Sequence, residues 1–145
     1  MAASAKLYGL ALKSFVNKEV DWDSDTIKVM LCTSSYTPNQ DTHQYKSDIT
    51  NEVTGTGYTA GGATLSSCTA TYNAGTNTLM LDAADVSWPS STITARYAVI
   101  YDATPGSDAT RPLIGYVDFD QNISTTAGTF SIVWDAAGVA TLTAA

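Results

Sequence analysis

Apolar and polar residues alternate with a period of two along most of this chain, and with a period of three to four only near its start. Strand-type stretches are Ile27 to Cys32, Gly62 to Tyr72, Asn77 to Asp82, Thr92 to Asp102, Leu113 to Phe119, Thr129 to Trp134 and Val139 to Thr143. In the first of these, Ile27, Val29 and Leu31 share one face, while Lys28, Met30 and Cys32 share the other. That pattern suits a strand buried on one side and largely covered on the other. Arg96 to Tyr101 is apolar almost throughout after the arginine, which suits a central strand. Phe130, Ile132 and Trp134 alternate with Thr129, Ser131 and Asp135, as a half-buried strand requires. Seven such strands in 145 residues predict an all-β fold, a single antiparallel β-sandwich, with a jelly roll among the topologies open to it.

Residues 1–18 read as a short N-terminal helical segment. From Ala5 to Lys18, Leu7, Leu10, Ala11 and Ser14 fall on one stripe, and Tyr8, Leu12 and Phe15 on the next. Ser4 is the expected cap. Gly9 costs such a helix about 1 kcal/mol relative to alanine, and a helix this short needs a docking surface. The sequence leaves open whether that surface is this chain's own sheet or a neighbouring subunit.

Two connections stand out. Asn73-Ala74-Gly75-Thr76 joins two strand patterns and predicts a hairpin of firm register. Thr33 to Gly62 runs without strong periodicity and ends in a tract with glycines at 55, 57, 61 and 62 around Tyr58. Aperiodic stretches of that length in compact domains are commonly functional or ordered by a partner.

Composition narrows the function. The length suits one domain, residues 1–145, with a single core. Charged residues make up only 14% of the chain, and Ser, Thr, Ala and Gly are abundant. A hydroxyl-rich surface is cheaper to desolvate than a heavily charged one, which suits packing against neighbours. The net charge of −7 argues against a nucleic-acid partner. No apolar run is long enough to span a membrane, and the opening residues lack the pattern of a secretory signal, so residence in a cytoplasm is expected. Cys32 and Cys68 are expected to be free, buried thiols inside strands.

Candidate reactive groups are few. Glu19, Asp21, Asp23 and Asp25 alternate as in some calcium loops, but Thr26 and Cys32 stand where the bending glycine and closing glutamate belong. The run reads as an acidic connector, and no metal or other cofactor is expected. His43 is the sole histidine and lies in a polar loop context, leaving little from which to build catalysis. Trp22, Trp88, Tyr36 and Tyr58 fall at strand ends or in loops and are the candidates for a carbohydrate platform. No enzyme is expected.

The stretch Asp25 to His43, followed by Ile49-Thr50-Asn51-Glu52-Val53 and Gly55 to Gly62, resembles a family of small tailed-bacteriophage structural proteins. So do Thr92 to Asp102 and Pro112 to Phe119. The resemblance implies a virion component and most directly a head decoration or cement protein. Such a protein binds the major capsid protein on the outer surface of the head, self-associates, and is assembled in the host cytoplasm. A tail, connector or fibre-base component is the nearest alternative, and a carbohydrate-binding module the alternative from another class. Partner contacts are expected from the N-terminal segment, at Lys6, Tyr8, Leu12 and Phe15, and from the long loop, at Tyr36, Tyr45 and Tyr58.

Overall fold

The computed structural model describes residues 2–144. In chain order its regular elements are β1 (Ser4–Leu7), α1 (Gly9–Val16), β2 (Ile27–Cys32), β3 (Ala63–Thr64), β4 (Thr69–Asn73), β5 (Thr78–Asp82), β6 (Val86–Ser91), β7 (Thr94–Asp102), β8 (Leu113–Ser124), β9 (Gly128–Ile132) and β10 (Ala140–Thr143). All strand pairs are antiparallel. They form a five-stranded sheet ordered β1-β8-β7-β2-β3, a three-stranded sheet ordered β10-β5-β4, and the ribbon β6-β9. The fold is an all-β sandwich, and its five-three-two division differs from the eight-strand jelly roll.

The alternation of β2 organises both cores. Ile27, Val29 and Leu31 join Ala98, Ile100, Ile114 and Val117 on the inner face of the large sheet. There they meet Leu81 of the three-stranded sheet and Val86, Trp88, Phe130 and Ile132 of the ribbon. Met30 and Cys32 point the other way, into a second cluster with Val99, Tyr101, Leu113 and Tyr116. Tyr8, Ala11 and Tyr36 cover that cluster from α1 and the long loop. The large sheet is therefore covered on both sides, and β7 is central as its composition predicts.

The N-terminal helical segment is corrected. Ser4–Leu7 is a strand, pairing with Asp118–Gly115 of β8, and the helix has eight residues. Met1 lies outside the described residues. Ser4 caps nothing. Two N–H groups at the start of the helix are met by main chain, Gly9 donating to Gln40 O at 2.8 Å and Ala11 to Tyr8 O at 3.1 Å. Gly115 permits the β1–β8 approach, because a Cβ there would lie 2.9 Å from Lys6 O. Ladder hydrogen bonds and burial of Leu7 against the core outweigh a helical preference of a few tenths of a kcal/mol per residue.

Two further boundaries differ. The stretch from Gly62 to Tyr72 is broken into β3 and β4, with Cys68 half-buried in the connection and not in a strand. Strand β6 is an element that Pro89 hides in the sequence, since a proline cannot donate to a ladder. It is tolerated because β6 pairs only with β9 and its register shifts between Trp88 and Ser91, where Ser90 has φ 51°. The expected β4–β5 hairpin is present, its ladder reaching Asn73 opposite Thr78, so that Asn73 ends β4 instead of opening the turn.

Candidate functional site

The long loop is ordered by its own chain. Tyr36 turns inward, fully buried, and its hydroxyl lies 2.8 Å from that of Tyr8 and 2.9 Å from Nδ1 of His43. The N–H of Asn39 also donates to Nδ1, at 3.3 Å. Burial holds the Tyr8 phenol well above its ordinary range and pushes Tyr36 up to about 12, so both remain neutral donors. Farther along, Glu52 Oε1 accepts from the Tyr58 hydroxyl at 2.7 Å and from the Gly61 N–H at 2.6 Å, while Leu31 N–H donates to the same hydroxyl. These bonds pin the glycine-rich tract to β2.

Those placements correct several expected contact residues. Tyr8 and Tyr36 are core residues, 0% and 1% exposed, and offer no surface to a partner. Tyr58 is half-buried with its hydroxyl engaged. Tyr45 is half-buried too, donating to Glu19 Oε2 at 3.2 Å. The same oxygen accepts from buried Ser14 Oγ, so Glu19 ties α1 to the loop. Lys6 is exposed on β1. The proposed sugar platform also loses its faces. Trp22 and Trp88 are each 4% exposed, the first donating its indole N–H to Asp82 O, the second packed edge-on against Phe130.

Leu12 and Phe15 are brought together. Helix α1 buries Ala11 and Ser14 toward its own chain, while Leu12 and Val16 stay 45% and 82% exposed. They border a groove of about 520 Å³ running from the helix past Val20 and Trp22 to Leu79 of β5 and Leu142 of β10. Lys18, Asp21 and Asp23 rim it. Sequence periodicity placed Leu12 on a helix, but not which stripe of that helix the sheet would leave uncovered.

The acidic run closes on itself, with Asp21 N–H donating to Asp25 Oδ2 at 2.7 Å. Asp118 and Asp120 serve Arg96 instead, at 2.7 and 3.6 Å. That pairing holds the Asp118 carboxyl below its ordinary range. Among the described residues no three His, Cys, Asp or Glu side chains converge as a metal site would need. Cys32 and Cys68 are free thiols, and burial pushes Cys32 up to about 12, away from nucleophilic reactivity.

The groove beside α1 is a concave and mainly apolar surface of the described residues. Comparison with protein-family models, with curated proteins and with solved structures found no match.

Proposed function

We propose that this chain is a bacteriophage virion protein of the head decoration or cement kind. It adheres to the outer surface of the capsid through the apolar face of α1 and the adjoining three-stranded sheet, and it associates with copies of itself. The observation that carries the reading is the exposure of Leu12 and Val16 beside the groove, on a surface otherwise rich in small hydroxyl side chains. Burying two aliphatic side chains supplies about 1.5–3 kcal/mol each, and many weak contacts on one shell add through multivalency. The resemblance of the Asp25 to Gly62 and Thr92 to Phe119 stretches to tailed-phage structural proteins supports the same assignment.

Removing residues 1–18 is a poor test, because β1 pairs with β8 and Tyr8 lies in a core. Replacing Leu12 and Val16 by lysine leaves those elements intact. Purified protein should co-sediment with expanded empty heads, and L12K/V16K should lose most of that binding while remaining folded. Undiminished co-sedimentation of the double variant would remove α1 from the contact. Copy number decides between sites on the particle: hundreds per virion fit a head protein, six or twelve a connector.

A further inference from the structure

A second surface has the opposite character. Where β2 begins and β7 ends, a polar cleft of about 510 Å³ has three of the chain's seven basic side chains in its lining: Lys28, Lys46 and Arg111. Only two carboxylates, Glu52 and Asp108, share it. That is a local excess of positive charge on a chain whose net charge is −7.

The internal pairing leaves one cation over. Asp108 takes Lys46 Nζ at 2.8 Å on one oxygen and Arg111 Nη1 at 3.0 Å on the other, and Arg111 Nε donates to Pro105 O. Those two pairs hold the Asp108 carboxyl below its ordinary range. Glu52 is engaged by Tyr58 and Gly61. Lys28 makes no ion pair and no side-chain hydrogen bond among the described residues, although it is half-buried on β2 opposite Tyr101. The floor is fixed by the Tyr101 hydroxyl donating to Gly61 O at 2.7 Å, with Lys46 over the Tyr101 ring.

We propose that this cleft is a carboxylate-binding site that seats one Asp or Glu side chain from an acidic segment of a protein partner against Lys28. One unpaired ammonium matches a single negative charge. A phosphate dianion asks for several convergent free donors, and here the second ammonium and the guanidinium Nε and Nη1 are already committed. Lys46 and Arg111, held by Asp108, add field without competing for the ligand. The proposal rests on the reading that this chain's partners are proteins, and it gives that contact a polar anchor separate from the apolar groove.

The test uses the whole chain, isotope-labelled, titrated with the peptide acetyl-Glu-Gly-Glu-Gly-Glu-amide at low salt and, separately, with inorganic phosphate. The expected result is a saturable shift of the Lys28, Gly61 and Tyr101 signals by the peptide. That shift should weaken about tenfold in 0.5 M salt and vanish in K28E, whose site has no intrachain bond to lose. K13Q, on the exposed face of α1, should bind as wild type. No shift at the cleft, equal peptide binding by K28E, or tighter binding of phosphate than of peptide would each overturn the assignment. Because no viral particle is present, failure here is distinguishable from failure of L12K/V16K to release heads.

Discussion

Asp25 and Asp102 face one another at the end of β7, and Asp102, wholly buried, has one carboxylate oxygen, Oδ2, that no donor of the described chain reaches. Its other oxygen accepts the Thr104 N–H at 2.8 Å. Protonation turns the Asp102 carboxyl from an acceptor with one unmatched oxygen into a donor and removes its buried charge. Burial first, and the neighbouring Asp25 second, push Asp102 up to about 6 from the ordinary 3.8.

The pH dependence follows from that direction. A folded-state pKa above the unfolded one means that the native state binds the proton more tightly. The stabilisation is complete below about pH 4 and lost as pH rises through about 6. Asp108 and Asp118 act in the opposite sense, because their cation partners depress them, so their contribution is lost as pH falls. Asp102→Asn, which replaces the proton with an amide donor, isolates the first effect. Urea unfolding should show it more stable than wild type by about 1–3 kcal/mol at pH 7 and no more stable at pH 4. Equal differences at both pH values would contradict the raised pKa of Asp102.

Gly62 has φ 80°, and a Cβ there would run into the carbonyl of Val29 on β2. Gly62→Ala should cost more than about 2 kcal/mol, from the left-handed backbone together with the overlap. Gly106, with nothing within 4 Å of such a Cβ, is the control. Its alanine variant should unfold within about 0.5 kcal/mol of wild type.

Helix α1 ends in a Schellman turn. Glu19 N–H reaches Ser14 O at 2.9 Å, Lys18 N–H reaches Phe15 O at 3.2 Å, and Lys18 takes the left-handed position with φ 60°. A lysine pays there for a conformation glycine adopts freely. Lys18→Gly should therefore raise stability by about 1 kcal/mol in denaturant titration. A loss would show that the lysine side chain holds the turn by contacts of its own.

Tyr58→Phe removes the hydroxyl that accepts from Leu31 N–H and donates to Glu52. The expected loss is about 1–3 kcal/mol, since two partly buried groups are left unmatched. Adding Glu52→Gln should cost less than the two single changes summed, because they share one network. Strict additivity in a double-mutant cycle would separate them.

Local pattern alone determined much of this molecule. Alternation in β2, β7 and β9, and the Asn73 to Thr76 turn, fix which residues face inward, because a period of two leaves each strand only two registers of burial. Two features ran against local preference and needed the fold. Ser4–Leu7 is a strand only because the edge of β8 and the bare Gly115 are there to receive it. Val86–Ser91 is one only because an edge position forgives Pro89. The same holds for the surfaces. Tyr8 and Tyr36, polar-tipped rings that sequence places equally well outside, pack into one apolar cluster in which each hydroxyl satisfies the other. Lys28 and Arg111, 83 positions apart, meet in one cleft only through the closure of β2 against β7 and the loop beyond it. Contacts between distant residues depend on chain closure, which no local spacing encodes.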